Sequence, residues 1–588
     1  MKSFFKMFLA VVLGLFVTPI LVFLVFLIIG IGVLSSKDSA PKILPESVLQ
    51  LDLNCSILER SIENPFEYLN SPMFQQERTM GLNTLSAMLK QAKSDDNIRG
   101  IYLDISNISA SLATVEELRN HLLDFKESGK FIYCYSESLS QISYYLASAS
   151  DKIFLHPHGM LDMRGLASEV MFFKKMLEKI DLDMQIIRHG TYKSAVEPFM
   201  LEKMSEANKE QIKIYLGSIW DGMVANISEN RSIEAAAIQN ACDSLMLFSD
   251  TKAALDRGFV DDLMYKDEFL AFLCSELGLD STKKINFVSA KEYKKTLPAA
   301  EVKRDKIALI YAVGNIVDVD DSRGQYIGAA TGEEIAKARK DKSVKAIVLR
   351  INSGGGSALA SESIWREVEL TRQVKPIVIS MSDLAASGGY YIACAGSYIV
   401  AQPNTITGSI GVFGMIPNME KMLANKLGIT VDRVKTNQHS DIATVTRSLD
   451  SYETDVMHKM VEKTYSTFVK RVADGRHLNT TFVDSIGEGR VWAGVDALRL
   501  HLVDTLGGVN VAIEKAAQLA DISNYSISER PVKKDVFQEF MEAFMDNGVA
   551  VKMKKSPLYQ TYTYFQFAES ALEMKGVQAR IPYIIEIY

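Results

Sequence analysis

The segment VKAIVLRIN (344–352) decides the fold, because IRGIYLDIS (98–106) has the same pattern of apolar and polar positions. A second pair, YYIACAGSYIVAQP (390–403) and YYLASASDKIFLHP (144–157), matches in the same way. Residue 344 lies 246 residues after residue 98, and residue 390 lies 246 residues after residue 144. A constant offset over such a span predicts two tandem copies of one domain.

Within each copy, short β-branched runs alternate with helical patterns. AIVLRI (346–351) and PIVIS (376–380) are such runs, and SALASESIWREVELTRQV (357–374) has apolar residues at three- and four-residue spacing. The alternation predicts an α/β fold with a mostly parallel sheet, which usually binds ligands beyond the carboxyl ends of its strands. Two loops are predicted there, NSGGGS (352–357) and SDLAASGGYY (382–391).

The uncharged, apolar stretch 7–34 follows Lys2 and Lys6 and is long enough for a transmembrane helix. A cleaved signal peptide is the alternative, but its apolar region is usually only ~7–15 residues long, and no A-x-A site follows this stretch. Lys37 and Lys42 after the stretch nearly balance the positive charges before it, so the positive-inside rule does not settle which end of the helix faces the cytoplasm. We expect the short amino-terminal tail inside and the bulk of the chain outside.

These patterns divide the chain into four parts. The predicted parts are a membrane anchor (1–40), a first repeat (41–295), a second repeat (296–525) and a carboxyl-terminal extension (526–588). The extension ends in VQARIPYIIEIY, which is typical of a strand, and no chemistry is assigned to it.

Composition excludes several classes of protein. With 588 residues, 47% of them hydrophobic, the chain can bury a large core and is not intrinsically disordered. Its net charge of −7 provides no basic field for nucleic acid, so peptides or small molecules are the expected partners. The five cysteines have no CxxC spacing and predict neither a zinc site nor a dense disulfide framework.

Ser387 is the candidate nucleophile. It lies in AASGG (385–389), between a predicted strand and a helical run, where free backbone N–H groups surround its hydroxyl. The N–H of Gly388 can donate to a developing oxyanion, and Gly355 or Gly356 of the NSGGGS loop can supply a second donor. The alternative is that both loops are tight turns whose glycines only permit unusual backbone angles. The first copy has Gln141 at the aligned position and therefore no such nucleophile.

Residue patterns alone do not identify the general base. None of the eight histidines has a spacing that ties it to the serine loop. A lysine can replace histidine only if burial or nearby positive charge lowers its pKa, and composition singles out no particular lysine.

Three motifs, GTYKSAVEPF (190–199), DLAASGGYY (383–391) and TGSIG (407–411), resemble the long form of the signal peptide peptidase A family. The resemblance covers almost the whole chain, from the amino-terminal anchor through both repeats. It implies a serine protease in which Lys193 is the general base and Ser387 the acylated nucleophile. It also implies that Ser409 orients the lysine amine, with Thr407 as a neighbouring alternative.

The same resemblance implies tandem Clp protease- or crotonase-like ββα spiral domains, a homotetramer and no metal or cofactor. Its substrates are expected to be apolar peptides, chiefly cleaved signal peptides. It further implies a single-pass protein of the bacterial inner membrane, with the catalytic domain outside the cytoplasm. One departure is that the family commonly has NSPGG where this chain has Ser353 followed by three glycines, which leaves open which N–H completes the oxyanion hole.

Two other functions remain as alternatives. A crotonase-like acyl-CoA enzyme would share the spiral fold and the oxyanion hole, although the anchor and the Ser387/Lys193 pair argue against it. A non-catalytic membrane scaffold would use the duplicated domain for assembly only.

Overall fold

The computed structural model describes residues 14, 17, 41–61, 78–245, 250–280, 284–298, 301, 303–318, 326–532 and 577–580. Apart from Gly14 and Val17, the predicted transmembrane helix at 7–34 lies outside these residues. Within the described ranges, no helix combines the length and the hydropathy that crossing a membrane requires.

The first half of the chain alternates strands and helices. Its strands are β1 (Ser47–Asp52), β2 (Ser56–Leu58), β3 (Thr79–Gly81), β4 (Ile98–Asp104), β5 (Phe131–Leu139), β6 (Lys152–Leu161), β7 (Asp183–Arg188), β8 (Asp262–Leu263) and β9 (Phe287–Ser289). Its helices are α1 (Leu82–Ser94), α2 (Leu112–Lys126), α3 (Gln141–Ala147), α4 (Lys174–Lys179), α5 (Glu197–Met200), α6 (Glu206–Arg231), α7 (Ala235–Asp243), α8 (Thr251–Asp256), α9 (Lys266–Glu276) and α10 (Ala290–Lys294), with a 3₁₀ turn at Ser194–Val196.

The second half repeats the alternation. Its strands are β10 (Asp305–Val313), β11 (Val344–Ser353), β12 (Gly355–Ser357), β13 (Ile377–Ala386), β14 (Tyr398–Ala401), β15 (Ile406–Gly408), β16 (Phe413–Asn418), β17 (Val491–Ala493), β18 (Thr505–Leu506), β19 (Tyr525–Arg530) and β20 (Val577–Arg580). Its helices are α11 (Ala329–Lys340), α12 (Ala358–Arg372), α13 (Gly388–Ala393), α14 (Glu420–Leu427), α15 (Ser451–Arg476), α16 (Thr480–Ile486), α17 (Gly494–Arg499) and α18 (Val509–Leu519).

Each half builds its own mostly parallel sheet, with the matching segments at equivalent places. The first sheet has the order β8-β6-β5-β4-β1-β9, and the second has the order β17-β15-β13-β11-β10-β19, with β14 also paired to β13 and β18 paired to β14. The repeated segments form β4 and β11, which lie inside their sheets and pair in parallel with β1 and β10 respectively. The α/β class follows from this architecture, whereas the spiral winding of each copy stays a prediction.

A buried ion pair joins the two halves. Arg350 on β11 is 1% exposed and donates to Glu59 and Glu117 of the first half, each at 2.8 Å. Removing one partner of such a pair leaves an uncompensated buried charge, which costs several kcal/mol (about 3–5). Buried charges therefore link the two halves.

The structure differs from the predicted loops. NSGGGS contributes its first two residues to β11 and its last three to β12, and the segment SDLAA of the second loop continues β13 as far as Ala386. The pairing of β11 with β13 changes register between Ile351 and Ser353, so the strands bend and continue where the sequence predicts an end. Glycine permits the backbone angles of such a bend, which is why it also indicates a loop.

A segment of the first half crosses to the second half at β7. Residues Asp183–Arg188 pair antiparallel with Phe413–Asn418 of β16, with Arg188 opposite Phe413. Residues 189–193 follow directly, so the first repeat delivers this turn to the carboxyl ends of the second sheet.

Candidate active site

Ser387 lies at the joint between β13 and α13 in an uncommon backbone conformation. Its φ and ψ are 55° and −116°, and its N–H donates to the carbonyl of Gly408 at 2.8 Å. Non-glycine residues rarely adopt positive φ, and such strain persists only where the surroundings impose it. The side chain is fully buried, so its hydroxyl is held at one position at the first turn of the helix.

Lys193 reaches this hydroxyl from the first repeat. Its Nζ lies 2.8 Å from Ser387 Oγ, 3.0 Å from Ser409 Oγ and 3.3 Å from the carbonyl oxygen of Ser409. The side chain is 1% exposed. The three predicted residues, 193, 387 and 409, are thus brought together, with neutral oxygens around the amine.

Burial determines the charge of this amine. Desolvation lowers the pKa of Lys193 to about 7, because an ammonium ion loses its hydration in an apolar interior. A large fraction of the amine is therefore neutral near pH 7. A neutral amine can accept the proton of a hydroxyl, which an ammonium ion cannot do.

The turn that carries Lys193 is held by two residues that sequence patterns did not single out. Gln211 on α6 donates to the carbonyl of Tyr192 at 3.1 Å and accepts from the N–H of Val491 at 3.1 Å. Gly489 passes so close to Lys193 that an added Cβ would lie 2.6 Å from the Cβ of the lysine. Neither residue lies in a motif, and only the fold shows that it supports the amine.

Ser409, and not Thr407, contacts the amine. The hydroxyl of Thr407 donates to the carbonyl of Ala385 at 2.7 Å and is used within the sheet. Ser409 also has a positive φ, 49°, and its N–H donates to the carbonyl of Arg490 at 2.7 Å. Its position is therefore set by the backbone, which leaves its side chain to contact Lys193.

The two candidate oxyanion glycines of the NSGGGS loop have different surroundings. A Cβ added to Gly355 would lie 2.6 Å from the nitrogen of Gly388, so these two backbones are adjacent. A Cβ added to Gly356 would lie 1.9 Å from the carbonyl oxygen of Ile316, on another side of the loop. Gly388 is the first residue of α13, where N–H groups have no partner within the helix. Gly355 and Gly388 therefore adjoin each other, and the N–H of Gly355 donates to Ser353 Oγ at 3.1 Å.

The pH dependence of this site can be predicted from the pKa of Lys193. With a neutral amine as base, we expect kcat/KM for a peptide to rise about tenfold per pH unit at acidic pH and to level off above the pKa. The midpoint is expected near pH 7, the value that burial imposes. Thermal unfolding measured at each pH shows whether a fall in kcat/KM comes from protonation of the base or from unfolding of the protein. A midpoint near the ordinary lysine value of 10.5 would contradict a buried lysine base.

The chain is similar to several known proteins. The model of peptidase family S49 matches the chain twice, at residues 124–280 and 369–523, which confirms the predicted duplication. Protease 4 of Salmonella typhi is 35% identical over 536 residues, which cover 88% of this chain and 86% of that protein. Serine protease SPPA, chloroplastic, of Arabidopsis thaliana is 33% identical over 451 residues, 75% of this chain and 66% of that protein.

Among solved structures, the chain is similar to a mutant of ClpP1 from Listeria monocytogenes. The TM-score is 0.22 at 12% sequence identity, and the match covers 34% of this chain and 90% of that one.

Proposed function

Because the chain belongs to peptidase family S49 and is a serine protease, we propose that Ser387 and Lys193 form its catalytic dyad. The observation that carries the proposal is the hydrogen bond of 2.8 Å between Lys193 Nζ and Ser387 Oγ in a buried site. The prediction of a signal peptide peptidase A of the long form agrees with the double family match and the similarity to Protease 4.

In the first step, neutral Lys193 accepts the proton of Ser387 as the hydroxyl oxygen attacks the carbonyl carbon of a peptide bond. The N–H of Gly388 stabilises the negative charge on the carbonyl oxygen in the tetrahedral intermediate. Gly355 is the proposed second donor, and its N–H, which donates to Ser353 Oγ at 3.1 Å in this structure, exchanges that partner for the oxyanion. Lys193 then gives its proton to the departing amine, and an acyl-enzyme remains. In the second step, Lys193 takes a proton from water as the water oxygen attacks the ester carbon. The ester C–O bond then breaks, Lys193 returns the proton to Ser387 Oγ, and the second product leaves as a carboxylic acid. Ser409 orients the amine throughout.

The proposed substrates are extended, apolar peptides, chiefly signal peptides after their cleavage from exported proteins. The resemblance of the three motifs to signal peptide peptidase A supports this class. The proposed location is the bacterial inner membrane, where the stretch 7–34 is a single transmembrane helix and the protease domain lies outside the cytoplasm. The uncharged, apolar composition of that stretch supports the anchor. The proposed assembly is a homotetramer.

An activity-based probe tests the dyad directly. We expect a fluorophosphonate to phosphonylate Ser387 of the detergent-solubilised full chain, and tandem mass spectrometry of the digested protein to locate the adduct on that residue. Ser387→Ala and Lys193→Ala should abolish labelling, because the first removes the nucleophile and the second the base that activates it.

Ser485→Ala serves as the matched control for this labelling. The Ser485 hydroxyl donates to the carbonyl of Phe482 on an exposed surface and has no part in the proposed dyad. An adduct on a different serine, or labelling that survives both dyad substitutions, would contradict the assignment. A chain that takes no label and instead binds acyl-CoA would favour the crotonase-like alternative.

A further inference from the structure

Asp383 of the DLAASGGYY motif links the strand that ends beside Ser387 to the first repeat. Its Oδ1 accepts from the N–H of Thr114 at 2.9 Å, and the Thr114 hydroxyl lies 3.0 Å from Oδ1 and 2.9 Å from Oδ2. Its Oδ2 also accepts from Asn352 Nδ2 at 2.9 Å. Asp383 lies four residues before Ser387, and Asn352 lies three residues before Gly355. One carboxylate therefore joins a helix of the first repeat to both strands that lead into the candidate site.

These hydrogen bonds lie where the pairing of β11 with β13 is irregular. Between two successive residue pairs, β13 advances by four residues while β11 advances by two. Asn352 lies within this irregularity, where its Oδ1 accepts from the N–H of Leu384 at 3.1 Å and its Nδ2 donates to Asp383. A bulge interrupts the regular backbone pairing of two strands. The side chains of Asn352 and Asp383 therefore help to set how the two strands continue toward Gly355 and Ser387.

The first repeat holds Asp383 through the amino terminus of α2. This helix begins at Leu112, and its N-cap residue, Ser111, makes no side-chain cap hydrogen bond. The N–H of Thr114 is one of the donors that the first turn of a helix leaves without a partner, and the helix dipole favours a carboxylate there. In the second repeat, the equivalent helix α12 is capped by its own Ser357. Asp383 thus caps a helix of the other repeat.

The first repeat lacks this pair of side chains at the aligned positions. With the offset of 246 residues, Asn352 corresponds to Ser106 and Asp383 to Glu137. Ser106 Oγ lies 3.0 Å from Ser136 Oγ, and Glu137 is exposed. The α/β fold of a repeat therefore forms without an Asn–Asp pair, and the pair occurs in the copy that carries the candidate nucleophile.

We propose that Asp383 and Asn352 are positioning residues for the reaction, held in place by helix α2 of the first repeat. This inference rests on the proposed function. Their hydrogen bond fixes the strand that ends beside Ser387 relative to the loop that carries Gly355, so that an attacked carbonyl meets the nucleophile and the N–H donors together. Both residues act through the backbone and not by contact with the reacting atoms. The first repeat thus contributes α2 to the reaction as well as Lys193.

Asp383→Asn tests the inference. Every partner of this carboxylate donates, so the N–H₂ group of an amide would meet another donor. We expect kcat for an apolar peptide to fall at least about tenfold, with KM within about twofold, because a misplaced loop weakens interactions made in the transition state. The surroundings of Lys193 are unchanged, so the midpoint of the pH profile should stay near 7.

Exchange of the two side chains should restore the reaction. Asn352→Asp, added to Asp383→Asn, gives a donor at residue 383 and an acceptor at residue 352, which reverses the direction of the hydrogen bond. We expect kcat to return to within about fivefold of the wild type. Glu59, the other carboxylate near residue 352, is paired with Arg350 and so opposes the new charge only weakly.

Asp504→Asn is the matched control. The Asp504 carboxylate also accepts from a backbone N–H, that of Ile399 at 2.7 Å, and from a side chain, that of Arg476 at 3.0 Å. We expect this variant to unfold at a lower temperature and to keep the wild-type kcat per folded molecule. Thr114→Val serves as a second variant if Asp383→Asn does not fold. It removes only the hydroxyl donor and should lower kcat about threefold or more.

Peptide hydrolysis by the wild type and by Ser387→Ala, measured in parallel, separates this inference from the proposed function. If only the wild type hydrolyses the peptide and Asp383→Asn keeps its kcat, the positioning role is wrong and the dyad stands. If the wild type does not hydrolyse the peptide, both proposals are wrong. A loss in Asp383→Asn that the exchange does not recover, an equal loss in Asp504→Asn, or a wild-type kcat in Thr114→Val would also overturn the inference.

Discussion

Ser387→Ala and Lys193→Ala are each expected to lower kcat/KM for an apolar peptide by a factor of at least about 10⁴. Ser387→Ala removes the oxygen that is proposed to form the acyl-enzyme. Lys193→Ala leaves the hydroxyl without the amine that lies 2.8 Å from it, so no group is positioned to take the proton. The measurement is steady-state hydrolysis by the full chain in detergent, at a pH above 7, where the amine of the wild type is mostly neutral.

The losses in kcat/KM caused by the two substitutions should not be additive. Because nucleophile and base act as one unit, the double variant is expected to be no slower than the worse single variant. Thermal unfolding checks that each variant is folded, and Ser485→Ala again provides an active control. Retention of the wild-type rate by either single variant would show that another group does the work assigned to that residue.

Gly355→Ala has the second largest expected effect, a loss of about 10²–10³ in kcat/KM. Gly355 has φ of 98°, which an alanine adopts only with strain, and its Cβ would lie 2.6 Å from the nitrogen of Gly388. The methyl group would therefore lie where the carbonyl oxygen of a bound peptide meets the two N–H donors. The nucleophile and the base are untouched, so the loss should appear while the midpoint of the pH profile stays near 7.

Gly217→Ala is the matched control for this substitution. Gly217 lies in α6, where an added Cβ meets nothing within 4 Å and alanine is the better helix former. We expect this variant to keep the wild-type rate and to unfold at the same or a higher temperature. A Gly355→Ala variant within twofold of the wild type would remove Gly355 from the oxyanion site.

Residue patterns were sufficient for the strands and the duplication. The runs that form β11 and β13 are β-branched, and the helix α12 buries Ile364, Trp365 and Val368 at the predicted spacing. These features depend on neighbours a few residues apart, whose spacing is visible in the chain. The predicted loop at 352–357 is largely strand, and the one at 382–391 continues a strand to Ala386 before helix α13 begins, because glycine permits a bend in a strand as readily as it permits a turn.

Residue patterns along the chain indicated only part of the candidate site. Ser387 stood out through the small residues around it, which form a strand-to-helix joint locally. Lys193 stood out only through the resemblance of its motif, since nothing in its own surroundings along the chain distinguishes it from other lysines. Gln211 and Gly489, which hold the turn of Lys193, carried no signal at all.

The sequence by itself determined the α/β class, the two repeats and the position of the candidate nucleophile, because each follows from spacing along the chain or from comparison of the chain with itself. Only the tertiary structure decided that Lys193, 194 residues before Ser387, meets it, since β7 crosses to the second sheet and pairs with β16. The same packing buries the amine and lowers its pKa, brings Gly355 to Gly388, and pairs β20 with both β12 and β16. These contacts join residues far apart in sequence, and the packing of the whole chain, not any local preference, determines which of them form.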